Sequence, residues 1–521
     1  MNKSIFASKK SEIKAPIANA VNNAGATAYE FTPEHALAQY AMTGTFNNTY
    51  YVDAKSQIDE VKNLLTKVDD LSFIAKLAVY ARQKGFMKDM PAFLLSYLAT
   101  KDLDLLEKVF MLVVDNGKML RNFMQIIRSG QLGRKSFGSR PKKLIQKWLN
   151  SRTNTQLFRD SVGNEPALKD IFKMVHPKST DKSRNAFVCW LLDKEYNFDD
   201  LPKLVQDFEK FKKDTSLEVP DVPFQMLTAL KLDTRVWTQI ALKANWHTLR
   251  MNLNTFERHG VFKDANVVKQ LANKLRDPEV IANVKVFPYQ LMIAFNSTES
   301  NIPFELKEAL QDAMEIATKN IPNYEGYKIA VCPDTSGSMS CAVTGNRGSA
   351  SSKVTCYDVS ALFSACILKV NRDAMVVPFD DKVHKVNLNP RDSVMTNTKI
   401  LRNLSHGGTA CQRPFDVFND TSNPNIPDVI IYVSDNESWS GNVRGQATPM
   451  MHAWKKFKET RNKNAKLICI DLAPNKTSQA PERDGDILNI GGFSDQVFDV
   501  INGFLAGNAN TFVNQIKNTE I

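Results

Sequence analysis

The chain contains no run of eighteen apolar residues, so no membrane span is expected of it. Its first fifteen residues carry Lys3, Lys9, Lys10 and Lys14 without an apolar core, and no secretory signal is predicted. Cysteine is sparse, seven among 521 residues, with no C-x-x-C pair and no histidine at zinc-ligand spacing. An odd, scattered set in a chain of this size argues against a disulfide framework or a zinc site, and points to the reducing cytoplasm. No P-loop glycine-lysine signature is present, which removes a phosphate-transfer reading. Nor does a nucleophile stand beside a base: His406, next to Ser405, is a loop histidine, and a noncatalytic protein is expected.

What is present is positive charge, unevenly placed. The net charge of +11 divides into a surplus of 9 over residues 1–325, which hold 46 basic and 37 acidic residues, and a surplus of 2 over the rest. The window 101–150 alone has 11 basic residues against 4 acidic ones. A basic stripe confined to one half of a chain is the footprint of polyanion binding.

Residues 1–15 read as a flexible basic arm. Helical signals begin at Thr32, Pro33 and Glu34, a cap followed by proline at the first helical position. Leu71, Ile74, Ala75, Ala78 and Val79 follow with i, i+3, i+4 spacing, and similar amphipathic stretches recur to about residue 319 with short polar turns between them. The expected architecture over 16–325 is an α-solenoid of helix pairs. Near Pro322 and Gly326 the pattern changes: apolar runs at 328–332, 374–379, 429–433, 466–470 and 487–490 alternate with helical stretches. That alternation predicts an α/β domain over 326–521 with a doubly wound parallel sheet, whose ligands belong beyond the carboxyl ends of its strands.

Two of those strands end in aspartate. Asp334, Ser336 and Ser338 follow the first, and Asp435 follows the third, while Thr409 lies in the loop Ser405, His406, Gly407, Gly408 between them. Oxygen ligands crowded at strand tips suit a hard divalent cation, Mg²⁺ best, because it takes few carboxylates and keeps other oxygens in its shell. The series D-x-S-x-S, G-G-T, S-D-N resembles the metal-ion-dependent adhesion site (MIDAS) of von Willebrand factor A domains. That resemblance implies that Asp334, Ser336, Ser338, Thr409 and Asp435 are direct or water-mediated ligands, and that the site can take an acidic side chain from a partner. Residues 340–353, rich in Gly and Ser, read as a flexible insert that covers or modifies the metal face.

The basic half has its own candidates. Arg134, Lys135, Arg140, Lys142 and Lys143 form one loop cluster, and Lys178, Lys182 and Arg184 another; Phe137, inside the first, either stacks on a base or packs. The stretches 29–51, 169–178, 249–260 and 287–294 resemble, in order, parts of the TROVE module. A TROVE module followed directly by an A domain resembles the Ro autoantigen family. This implies HEAT-like repeats closed into a monomeric ring by the A domain. It further implies Y-like RNA on the outer basic surface, single-stranded 3′ ends of misfolded RNA in the central hole, and cooperation with exoribonucleases in RNA quality control. Within it, His176 matches a histidine associated with RNA contact, although Pro177 also suits it to capping a helix. Arg250, Asn252, Arg258 and His259 are assigned to single-strand contact, against an ordinary buried polar network. The competing function is a metal-dependent adaptor whose solenoid binds protein.

Overall fold

Asp and Asn side chains set where the helices of the first half begin. In the computed structural model, which describes residues 15–284, 286–348, 351–441, 445–482, 485–494, 496–507 and 512–521, Asp53, Asp70, Asp102, Asn116, Asp181, Asp233, Asn245 and Asp264 each accept a hydrogen bond from the first turn of the helix that follows. Each satisfies a backbone donor that has no partner inside its helix. Thr32 does the same for His35 ahead of Pro33. The expected helices appear close to their sequence limits, among them Leu71–Gln83, Leu103–Val113, Gly117–Ser129, Ser139–Ser151 and Ala265–Leu275. The expected basic arm falls almost entirely outside the described residues.

The second half is an α/β domain. Strands β1 (Ala20–Val21) and β2 (Thr27–Glu30) precede the helices; β3 (Ile329–Pro333), β4 (Met375–Val376), β5 (Val429–Ser434), β6 (Lys466–Asp471), β7 (Thr477–Ser478) and β8 (Ile487–Gly491) follow them. A five-stranded sheet runs β4-β3-β5-β6-β8 with every pairing parallel. Strands β3 and β5 are buried along their whole length, which is why they read as unbroken apolar runs. The run at 374–379 keeps two strand residues on the sheet edge, where Pro378 is tolerated because the N–H groups that reach β3 are those of Val377 and Phe379, at 2.8 and 3.1 Å from the Val331 and Pro333 carbonyls.

The helical half returns to this domain at both ends. The helix Pro33–Thr43 packs on β8 and on Phe512–Lys517, where Lys517 pairs with Glu34 at 2.6 Å. At the far end the helices Pro288–Ser297 and Phe304–Ala317 pack on Cys356–Val370 and Val394–Arg402, with Glu315 and Lys369 paired at 2.9 Å. Phe498 bridges the halves, 5.7 Å from Phe287 and stacked at 5.2 Å on Phe363. A helical repeat whose two ends dock on one domain is a closed ring.

A strand pairing also crosses the division at residue 325. Strand β2 pairs antiparallel with β7, and Tyr29 lies in the core of the α/β domain, its hydroxyl donating to the Pro16 carbonyl at 2.6 Å. Residues 15–31 therefore pack as part of the second half. Among the described residues, no helix is long and apolar enough to cross a membrane, and all seven cysteines are unpaired.

Candidate functional site

The strand order changes direction between β4 and β5, on either side of β3, and the loops after β3 and β5 open there. Asp334 directly follows β3 and Asp435 directly follows β5. Three loops are tied together at this edge. Gly337 donates its N–H to the Gly407 carbonyl at 3.1 Å, and the N–H groups of Trp439 and Ser440 both reach the Thr409 carbonyl at 3.1 Å. Gly408 is required by packing, since a Cβ there would stand 2.5 Å from the Trp439 ring.

All five oxygen-bearing side chains expected at the site are buried together. Asp334 accepts from the Ser336 N–H at 2.8 Å and from the Ser434 hydroxyl at 2.5 Å. The Ser336 and Ser338 hydroxyls are 3.3 Å apart. Burial, and then the charge of Asp435, push the Asp334 carboxyl up to about 7; burial also raises Asp435. The Thr409 hydroxyl is fully enclosed and has no hydrogen-bond partner among the described residues. A buried hydroxyl without a protein partner and two buried carboxylates that repel each other are groups that a cation would satisfy. Hard oxygens only, with two carboxylates and three hydroxyls, fit Mg²⁺. Among the described residues no group of three or more His, Cys, Asp or Glu is arranged to hold a metal, so this set depends on its hydroxyls.

Two residues missed in the sequence complete the surroundings. Glu437, two positions after Asp435, is buried and accepts from Asn23 at 2.7 Å and from the Ala24 N–H at 3.2 Å; burial and Asp435 push it up to about 8. Tyr51, from the helical half, lines the same small cavity as Ser338 and Asp435. Nothing in local spacing announces Tyr51. The described part of the insert departs from expectation: Ala342 bridges Thr355, and Asn346 pairs with Asn48, which ties it down; Ser349 and Ala350 lie outside the described residues.

In the helical half, the structure sorts the basic candidates. Arg134 is spent on its own loop and its neighbour, donating to the carbonyls of Ser136 at 2.7 Å and Ala99 at 2.5 Å, and to Phe137. Phe137 packs partly buried against the core. Arg184 likewise donates to the Leu149 carbonyl at 3.1 Å, to Arg152 and to Asn154. These two half-buried guanidinium groups hold helix ends together, with donors already engaged inside the chain. Arg140 is exposed but faces Asp104 and Glu107, and Lys182 pairs with Asp200 at 2.9 Å.

Lys135, Lys143 and Lys178 are exposed, and Lys142 is half-buried. Gln146 donates to the Val175 carbonyl, which seats Ser139–Ser151 beside the end of Leu168–Val175. Lys142 and Lys143, four and three residues before Gln146, share its face, so the two clusters form one surface with His176. His176 caps its helix, as Pro177 suggested. Its backbone, left-handed at φ 51°, closes the helix through its N–H to the Phe172 carbonyl at 2.9 Å, and its ring stays exposed.

The 250–259 stretch also divides. Arg250 is buried, with its guanidinium 5.6 Å over Trp246 and bonded to the Gln290 carbonyl, and Asn252 donates to Thr248 at 2.8 Å. Arg250 belongs to a buried polar network, while Asn252 is half-buried and lines the same groove as Arg258 and His259. Arg258 and His259 are exposed along a wide groove of about 2010 Å³ that Lys203, Lys210, Lys243 and His247 also line. His259 stacks on Trp237, whose buried indole N–H has no partner among the described residues.

Residues 327–505 match the family described as the Ro60 vWA domain. The chain resembles the Ro family along its length. A Deinococcus radiodurans protein named RNA-binding protein RO60 is 24% identical over 525 residues, covering 93% of this chain and 95% of that one. A Caenorhabditis elegans protein of the same name is 25% identical over 255 residues, 47% of this chain and 38% of that one. The crystal structure of the Deinococcus radiodurans RO (RSR) protein aligns with a TM-score of 0.65 at 19% identity, over 92% of this chain and 100% of that one, and supports the Ro-type fold. The Ro-type likeness spans both the helical ring and the domain that closes it.

Proposed function

We propose that this chain is a noncatalytic RNA-binding ring of the cytoplasm. It holds a small structured noncoding RNA of the Y type on the basic surface of its helical half and takes single-stranded 3′ ends of misfolded RNA into the ring, where exoribonucleases finish the work. The observation that carries the reading is the joined surface of Lys142, Lys143, Lys178 and His176. It offers cations that no acidic side chain among the described residues claims, on a helical repeat, in a chain similar over 93% of its length to a protein named for RNA binding. Lysines in such a surface neutralise phosphates and release counterions, giving affinity that falls with salt. The groove beside Arg258 and His259, with its stacked rings, suits unpaired bases, which bind through their faces.

Mg²⁺ at Asp334, Ser336, Ser338, Thr409 and Asp435 would neutralise the two buried carboxylates and engage the Thr409 hydroxyl. Sequencing the RNA that copurifies with the full chain tests the reading. Enrichment of short structured noncoding RNA and of transcripts with extended 3′ tails is expected; recovery of RNA in proportion to its cellular abundance would refute it.

A further inference from the structure

The loop between the first two long helices does more than connect them. It leaves the helical half and lies on the metal face of the α/β domain. Thr45 donates its hydroxyl to the Thr344 carbonyl at 2.5 Å, Asn47 donates to the same carbonyl at 2.8 Å, and Asn48 exchanges backbone hydrogen bonds with Asn346 at 2.6 and 3.3 Å. Gln57 fixes the loop from its own side through the Asn47 carbonyl at 2.6 Å. The approach is close enough to dictate sequence: Gly345 has φ +73°, and a Cβ there would lie 2.7 Å from that of Asn47.

This seating brings Tyr51 onto the cation site. Its side chain lines one small cavity with Ser338 and Asp435. Between Tyr51, Ser338, Asp435, Glu437, Asn23 and Asn475 lies this cavity, of about 30 Å³. That is room for an ion with a water or so.

We propose that the cation site is an internal clasp, in which Tyr51 of the helical half occupies the approach that a partner's acidic side chain would need, so that the ion ties the two halves of the ring together. The inference rests on the reading that these residues hold a divalent cation, and adds that the ion's neighbour from across the ring is already in the chain. An outside carboxylate is shut out while Tyr51 is seated.

Mn²⁺, standing in for Mg²⁺, is titrated into the full-length protein and free ion is read by electron paramagnetic resonance, with and without acetate as the carboxylate probe. Wild-type protein is expected to bind Mn²⁺ with an affinity that acetate does not change. In Tyr51→Ala, acetate should strengthen Mn²⁺ binding severalfold, because the approach is open. Tyr51→Phe, which keeps the ring and removes only the hydroxyl, should weaken Mn²⁺ binding by on the order of tenfold, the worth of one hydrogen bond. Equal acetate responses in wild type and Tyr51→Ala, or none in either, would overturn the clasp while leaving the cation site standing. Absence of Mn²⁺ binding, or binding unaltered in Asp334→Ala, would overturn both. Hydrogen exchange gives a second readout: chelation should speed exchange over 44–52 in wild type, and unchanged exchange there would count against the clasp.

Discussion

His259 lies flat on Trp237, with ring centroids 3.9 Å apart and planes within 10° of parallel. Desolvation by the indole and the neighbouring Arg258 charge both lower the histidine below its ordinary 6.5. An imidazolium held against an indole quenches its emission, so tryptophan fluorescence should fall with a midpoint below 6.5 as pH decreases. His259→Gln should remove that step. The sign for stability follows from the same shift. The unfolded chain takes up this proton at a higher pH than the folded one, so stability declines as pH falls from 6.5 through the folded-state value. A titration centred above 6.5 would show that the stack does not disfavour the charged ring.

Arg134 and Arg184 separate structural cations from RNA-binding ones. Arg184→Ala leaves the carbonyls of Leu149 and Arg152 without their donor and is expected to cost about 2 kcal/mol of stability, measured by denaturant unfolding. The salt dependence of RNA binding by the folded variant should match wild type. A shallower salt slope with unchanged stability would return Arg184 to the phosphate-contacting set.

Asp334 and Asp435 are buried together, and without a counter-ion one charge opposes the other. Asp334→Asn should therefore melt no lower than wild type in EDTA. In Mg²⁺ only wild type should gain, by roughly 2.7 kcal/mol at a hundredfold excess of ion over its dissociation constant. A Mg²⁺-induced rise of equal size in Asp334→Asn would place the ion elsewhere.

Much of the architecture is legible in the sequence. Helix limits follow from Asp and Asn caps placed just before amphipathic runs, as at Asp70 and Asp264, and both signals are local. The cation loops can be read because parallel strands bring residues that follow them, such as Asp334 and Asp435, to one edge. What stays hidden depends on distant partners. Arg134 and Arg184 look like phosphate contacts in sequence, but carbonyls from other helices, those of Ala99 and Leu149, claim them. Arg250 is likewise taken by Gln290. Tyr51 shares a cavity with Ser338, and β2 meets β7, across most of the chain, with no periodicity to announce either.

The central claim, that the helical half binds RNA through its joined lysine surface, is tested most directly by titrating a hairpin RNA bearing a single-stranded 3′ tail at several salt concentrations. Wild-type affinity should fall linearly on logarithmic axes. The double variant Lys142→Glu with Lys143→Glu should bind more weakly, with a slope reduced by about 2 because two fewer phosphates are neutralised. A flat salt response in wild type, or a double variant with unchanged affinity and slope, would contradict the account.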